Sequence, residues 1–477
     1  MKTYQQFING SLVDSHSKDW IEVENPFTNE IISRVPQGDK EDACAALEAA
    51  GKAQKAWAAR PAAERAGYLK RMAALIRGSR VELAKTLAAE QAKVLPLAQV
   101  EIDVTAEYFD YYAGWARIFE GEIIQSDRKN ENIFLFRKPI GVVAGICPWN
   151  FPFFVMARKV APALLSGCTI VLKPSSMTPN TTFEFAKMVA TLDLPPGVVN
   201  FVSGGGKTLG NALVTSPLTD MVTLTGSVEA GQEIIRATAD NVTKVSLELG
   251  GKAPAIVFAD ADLDIAVKGV VDSRVIYSGQ VCNCAERAYV HSSIYDKFLE
   301  KFTQAMKNVR YGDPFADPAP DMSSQIDKNQ QQKIDAMVKR ALADGAKALT
   351  GGKIADTKSG YFYEPTVLVN CRQDMEIVRK EVFGPAIPVL PFTEYEEAIA
   401  LANDCEYGLT SSVFTTNINT VMRALKDLKF GETYVNREHF EGIQGFHAGW
   451  RKSGIGGADG KHGLMEYLQS QMAYIQF

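Results

Sequence analysis

Apolar residues between Asp39 and Arg117 recur at intervals of three and four: Leu69, Met72, Ala73 and Ile76, then Val104, Tyr108, Tyr111 and Trp115, with Phe119 just beyond. That spacing puts them on single helix faces, and the alanine, leucine, lysine and glutamate between them favour helix. The segment is predicted to be helical, with its methionine and aromatic residues as core packing. Beyond Gly121 the period falls to two. Asn132 to Lys138 alternates as a strand up to Pro139, which has no N–H to offer a ladder.

From Gly141 short apolar runs alternate with helical stretches. Val142–Ile146, Thr169–Leu172, Val198–Val202, Met221–Leu224 and Val245–Leu247 read as strands, separated by helices such as Thr178–Thr191 and Glu229–Ala239. A second series follows Pro254, with strands at Ala255–Phe258, Ala288–His291, Phe362–Val369, Ala386–Pro391 and Ser411–Phe414. Its helices are Asp262–Tyr277, Tyr295–Val309, Lys328–Asp344 and Glu394–Asn403. Strands alternating with crossover helices predict α/β domains on parallel sheets, the first of them Rossmann-like. No repeat or long Gly/Ser linker separates the two series.

The length of 477 residues with 46% hydrophobic content exceeds what one core usually organises, so more than one domain is expected. A net charge of −5, with bases and acids interleaved, leaves no footprint for nucleic acid or an anionic membrane. No apolar run reaches the roughly 20 residues a spanning helix needs, and Met1–Gln6 leads into no apolar segment, so a cytoplasmic location is expected. Seven cysteines without a Cys-x-x-Cys pair, and five histidines without His-x-x-x-His, argue for reduced thiols and no metal.

Two short stretches carry chemistry. Ser278-Gly279-Gln280-Val281-Cys282-Asn283-Cys284 places a thiol among small and polar neighbours, which suits a nucleophile. Glu248-Leu249-Gly250-Gly251-Lys252, its glutamate 34 residues upstream, offers a carboxylate beside glycines that permit close approach, a candidate base. Each alone has an ordinary reading, a small buried cysteine and a solvated glutamate. Gly204-Gly205-Gly206 with Gly210 is a weak dinucleotide fingerprint. Leu224-Thr225-Gly226-Ser227-Val228-Glu229-Ala230-Gly231 runs from strand to helix, where N–H groups can meet a pyrophosphate or where Ser227 simply caps a helix. Thr169 to Ser176 ends a strand at the position where open α/β sheets bind ligands.

Together these motifs resemble the aldehyde dehydrogenase superfamily over essentially the whole chain. The resemblance implies residues 1–120 and 140–250 as a dinucleotide-binding domain, 251–458 as a catalytic domain, and 121–139 with 459–477 as a β arm for homo-oligomers, dimeric or tetrameric. It implies Cys282 as nucleophile and Glu248 as the base that hydrolyses a thioester. Asn150, in Pro148-Trp149-Asn150-Phe151-Pro152, would stabilise the oxyanion with the backbone N–H of Cys282, and Lys159 would assist proton relay. NAD would lie along Ile146, Trp149, Lys173, Ser176, Gly206, Gly210, Thr225, Gly226, Ser227 and Leu249. Glu381 and Phe383, in Glu381-Val382-Phe383-Gly384-Pro385, would hold the nicotinamide end.

Two positions depart from the family pattern. Many members carry glutamate where this chain has Ser176, and loss of that charge predicts tolerance of NADP beside NAD. Gln469 stands where many relatives have an acidic residue, so no proton relay is expected through it.

The segment Phe430–Trp450, with Val271–Arg274 and Val281–Arg287, resembles family members that oxidise short 2-hydroxyaldehydes such as lactaldehyde and glycolaldehyde more than it resembles generic relatives. Asn283, Glu441 and His447 match their substrate contacts. Arg158 could instead face an acidic aldehyde such as succinate semialdehyde or sulfolactaldehyde, or form a structural ion pair. A cysteine hydrolase would need a histidine base, and no histidine lies in either chemical motif. A catalytically silent relative is disfavoured by the presence of Cys282, Glu248, Asn150, Lys173 and Glu381 together.

Overall fold

The computed structural model describes residues 1–477. The helical opening forms as four helices, Lys40–Ala58, Ala62–Gly78, Arg80–Gln91 and Leu95–Gly114, the first closed by a capping box between Asp39 and Asp42. Leu69, Met72, Ala73, Ile76 and Tyr108 are buried where the helical period placed them.

The first α/β series makes five parallel strands at the centre of an eight-stranded sheet: Lys244–Glu248, Met221–Thr225, Val142–Ile146, Thr169–Lys173 and Val199–Phe201 in spatial order. Both sides of this parallel core are flanked by antiparallel strands from distant sequence. Gln6–Ile8 pairs with Val199–Phe201 and carries Ser11–Val13 as the edge beyond it, and Gly454–Ile455 pairs with Lys244–Glu248 at the other edge. None of these strands stands out in sequence, because each has only two or three residues and takes its identity from its neighbour.

The second series forms a seven-stranded sheet in the order Lys347–Thr350, Thr366–Val369, Ala386–Phe392, Ala285–His291, Ala253–Val257, Thr410–Phe414 and Glu432–Val435. Successive side chains enter different cores. Ile256, Tyr289 and Leu390 pack on one face, while Ala255, Val257, Ala288, Val290 and Val389 pack on the other. Burial on both faces explains why these strands read as continuous apolar runs. The strand expected at Phe362 begins only at Thr366, because Pro365 lacks the N–H needed to enter a ladder.

A third sheet stands apart from both. Glu122–Gln125, Glu131–Pro139 and Leu468–Gln476 are antiparallel, and Ile123, Phe136, Met472, Tyr474 and Ile475 on it are exposed. No helix is long and apolar enough to cross a membrane.

Candidate active site

Glu248 and Thr225 are the last residues of two neighbouring parallel strands and lie in register. The carboxyl edge of such a sheet is where crossover connections leave a crevice. The chain after Glu248 is pinned by Ser453, whose carbonyl accepts from Leu249 N at 2.8 Å and whose hydroxyl donates to the Gly250 carbonyl at 2.7 Å. Glycine is required at Gly251, where a Cβ would lie 2.3 Å from the Cys282 carbonyl oxygen, while a Cβ on Gly250 would press on the movable Glu381 carboxylate at 2.7 Å. The two motifs thus meet through backbone that only glycine leaves open at Gly251.

Cys282 follows a tight turn in which Tyr277, Ser278 and Gly279 all have positive φ, at 44°, 56° and 76°. Left-handed backbone at two non-glycine residues costs on the order of 1–3 kcal/mol each, offset here by surrounding contacts. Ser278 Oγ donates to the Ser323 carbonyl at 2.7 Å, Tyr277 Oη donates to the Gln91 carbonyl at 3.1 Å, and the Arg274 guanidinium donates to the Gly279 carbonyl.

Asn150 sits in the loop between strand Val142–Ile146 and helix Pro152–Ser166, whose first residue is the proline that suits a helix start. Three buried polar side chains hold this loop. Gln91 Nε2 and Lys93 Nζ donate to the Asn150 carbonyl at 2.9 and 2.8 Å, and Glu101 accepts from Phe153 N and Phe154 N at 3.0 and 3.2 Å. Lys93 also pairs with Glu101 and lies 3.6 Å from the ring centre of Phe151. The Asn150 amide donates to the Gln280 carbonyl at 3.0 Å, tying the loop to the cysteine turn.

Two clefts meet at Cys282. Asn150, Thr225 and Cys282 line both of them. On one side Trp149, Thr225, Gly226, Ser227, Leu249, Glu381 and Phe383 form a slot that continues past Ile146 into an outer cleft of about 660 Å³ lined by Lys173, Gly206 and Gly210. Ser227 caps helix Val228–Thr238, accepting from Ala230 N at 3.2 Å, and also faces the slot. Burial lowers the Lys173 ammonium to about 8 and raises the Glu381 carboxyl to about 7. Ser175, the neighbour of Ser176, lines the slot, while Ser176 itself is half-buried beside it.

On the other side a smaller cavity brings Arg158, Glu248, Asn283 and Glu441 together with Phe151, Phe154 and Phe440. It opens toward a largely apolar mouth of about 230 Å³ that shares those three aromatic rings. Asn283 Nδ2 donates to Glu441 Oε2 at 2.6 Å. Lys159 is buried beneath, donating to Thr223 and Thr225 hydroxyls, each at 3.0 Å.

Arg158 takes the structural ion-pair alternative. Its guanidinium donates to Glu248 at 3.3 Å, Glu441 at 2.8 Å, Asp459 at 2.7 Å and the Tyr108 hydroxyl at 3.1 Å. Burial alone would raise the Glu248 carboxyl, yet Arg158, His447 and Lys159 hold it below the usual carboxylate range. His447 contacts Glu432 Oε1 through Nδ1 at 2.8 Å and lies close enough to Cys282 to act on its thiol electrostatically. No histidine lies in either chemical motif, yet the fold brings His447 near the thiol. Although buried, His447 has its proton affinity raised well above normal by Glu432 and Glu248. Burial raises the Cys282 thiol, and His447 opposes that rise.

Gln469 lies on the exposed strand Leu468–Gln476, its amide donating to the Pro139 carbonyl at 3.4 Å. Asp459, absent from the sequence reading, is the buried carboxyl near Glu248. Lys93 and Glu101 were also missed, marked only by a burial unusual for charged residues, and so was the partly exposed Glu432, marked only by its contact with His447; neither property is visible in sequence.

Comparison with known proteins bears on this geometry. The profile described as "Aldehyde dehydrogenase family" matches residues 12–473. Lactaldehyde dehydrogenase of Escherichia coli (strain K12) is 54% identical over 473 residues, covering 99% of this chain and 98% of that protein. The crystal structure of lactaldehyde dehydrogenase from Escherichia coli superposes with a TM-score of 0.98 at 53% identity, covering 100% of this chain and 99% of the other. A 3,6-anhydro-L-galactose dehydrogenase in complex with NADP gives 0.97 at 43% identity, covering 99% of this chain and 100% of the other. Betaine aldehyde dehydrogenase from Staphylococcus aureus in complex with NAD+ gives 0.97 at 36% identity, covering 100% and 98%. A thiol where two clefts meet, an amide beside it and a carboxylate across the cavity are thus set in a fold shared along the whole length, and the chain belongs to the aldehyde dehydrogenase family.

Proposed function

We propose that this protein oxidises a short 2-hydroxyaldehyde, of the lactaldehyde and glycolaldehyde class, to its carboxylate through a thioester on Cys282. The observation that carries the reading is the position of Cys282 and Asn150 on the wall shared by the two clefts, one suited to a dinucleotide and one to a small aldehyde.

The dinucleotide fits the long cleft. Strand ends and helix N-termini face it, and Lys173, Lys207 and Arg236 along its outer part outnumber the single acid Glu233. This balance, with Ser176 in place of a carboxylate, supports NAD as cofactor with NADP also accepted. When bound, the nicotinamide supplies an acceptor for hydride from the substrate carbon.

The chain's own residues carry the remaining steps. The Cys282 thiolate adds to the aldehyde carbon, the carbonyl π pair moves to oxygen, and the Asn150 amide donates to that oxygen. After the carbon has given up hydride, a thioester remains on Cys282. Glu248 takes a proton from water as its oxygen attacks the thioester carbonyl. The C–S bond then breaks and its electron pair returns to sulfur, releasing the carboxylate.

Asn283, Glu441 and His447 offer polar partners for a hydroxyl next to the reacting carbon, and a site built around a hydroxyl penalises analogues that lack it. An acidic aldehyde is disfavoured because Arg158 already faces three carboxylates. Exposed apolar residues along the arm, Ile123, Phe136 and Tyr474 among them, support assembly into a homo-oligomer, and seven free cysteines suit a reducing cytoplasm.

The test is a set of specificity constants for lactaldehyde, glycolaldehyde, propionaldehyde, succinate semialdehyde and sulfolactaldehyde, each with NAD and NADP. The two hydroxyaldehydes are expected to lead. Equal constants for propionaldehyde and lactaldehyde, or turnover surviving in Cys282→Ala, would refute the reading.

A further inference from the structure

We propose that Asp459 is a positioning residue for the base Glu248, acting through Arg158, whose guanidinium the two carboxylates share. The proposal rests on the reading of Glu248 as the group that activates water. Asp459 is fully buried, immediately precedes helix Gly460–Glu466, and adopts φ +71°, a conformation uncommon for a non-glycine residue. Gly454–Ile455, just upstream, is the edge strand paired with the strand that ends in Glu248, which delivers Asp459 to the same cluster.

The hydrogen bonds there are incomplete. Arg158 Nη2 is divided among Asp459, Glu441 and Tyr108, while Nη1 reaches only Glu248. Asp459 Oδ1 and Glu248 Oε1 are both buried without a partner. One cation therefore serves three carboxyls, and in a poorly screened interior more negative charge on one weakens its hold on another. The other groups facing Asp459 are His447, Lys159, Tyr108 and Tyr112.

Burial raises the Asp459 carboxyl to about 7, against the pull of Arg158 and His447. Protonated Asp459 leaves Arg158 to Glu248 and Glu441, and Glu248 is held in its resting pair. Ionised Asp459 draws the guanidinium away, and Glu248 is freer to take a proton from water. Hydrolysis of the thioester, and not its formation, is the step this arrangement sets.

Rapid mixing of glycolaldehyde and NAD with Asp459→Asn separates the two steps. Asparagine tolerates left-handed backbone, so the fold is expected to survive. The first equivalent of reduced cofactor is expected within about twofold of the wild-type rate, followed by steady turnover slowed roughly fivefold or more at about pH 8, with the gap closing below about pH 6. Equal slowing of both phases at every pH, or no slowing of either, would overturn the proposal. Should the variant not fold, thioester decay in the wild-type enzyme must show an ionisation near 7 beside that of Glu248, and a single ionisation would overturn it equally. Glu248→Gln is the control for the underlying reading: hydrolysis at the wild-type rate in that variant removes Glu248 as base, whatever Asp459→Asn does.

Discussion

Thr225 hands a hydrogen bond to Glu248: its hydroxyl donates to Glu248 Oε2 at 3.1 Å while accepting from Lys159 Nζ at 3.0 Å. The buried lysine reaches the carboxylate through one hydroxyl that can point only one way. Thr225→Val keeps the shape and removes both bonds. A hydrogen bond to a charged group contributes about 1.5–3 kcal/mol, so thioester hydrolysis is expected to change by roughly ten- to a hundredfold. Single-turnover measurement of reduced cofactor and of carboxylate release would locate the change in the second step, and an unchanged second step would show the bond to be idle.

Lys93 and Glu101 are an ion pair with no exposed side-chain surface, beneath the loop that carries Asn150. Lys93→Met strands the Glu101 carboxylate and is expected to cost about 3–5 kcal/mol in urea unfolding. Adding Glu101→Gln is expected to restore much of that stability but not turnover, because the Asn150 carbonyl would still lack its lysine donor. Full activity in the double variant would disconnect the pair from the oxyanion site.

Asp459 contributes to the pH dependence of stability. Its carboxyl moves from the usual 3.8 to about 7 on folding, so the folded state keeps a proton that the unfolded chain has released. The stabilisation is complete below about pH 4 and is lost as pH rises through about 7, by a few kcal/mol at most. Asp459→Asn cannot ionise, and its melting temperature relative to wild type is expected to rise across that interval. A constant difference from acid to neutral pH would mean that Asp459 does not titrate there.

Ser176→Glu tests cofactor choice. A carboxylate at that position repels a 2′-phosphate and accepts from a 2′-hydroxyl, so kcat/KM with NADP is expected to fall about ten- to a hundredfold while NAD is little affected. A parallel fall with both cofactors would indicate damage to the cleft and leave Ser176 without a part in discrimination.

Local pattern was enough for the main elements. Val142–Ile146 matches its expected bounds, and Thr169–Lys173, Met221–Thr225 and Thr410–Phe414 exceed theirs by one residue, because strands buried on both faces are written as unbroken apolar runs. Strands that lack such a run went unread. Gln6–Ile8, Lys347–Thr350, Glu432–Val435 and Gly454–Ile455 are short or partly polar, and partners elsewhere in the chain make them strands.

The amino-acid sequence by itself determined where the helices and the continuous apolar strands form and which thiol, amide and carboxylate carry motif-level signals, since side-chain period and turn chemistry act between near neighbours. The tertiary structure alone decided which charges share a space. It turned Arg158 from a candidate substrate contact into the common partner of Glu248, Glu441 and Asp459, brought His447 to Cys282, and set Gln469 out on the arm. Burial and distance through space govern the strength of an ionic contact, and neither can be read along a chain until it has folded.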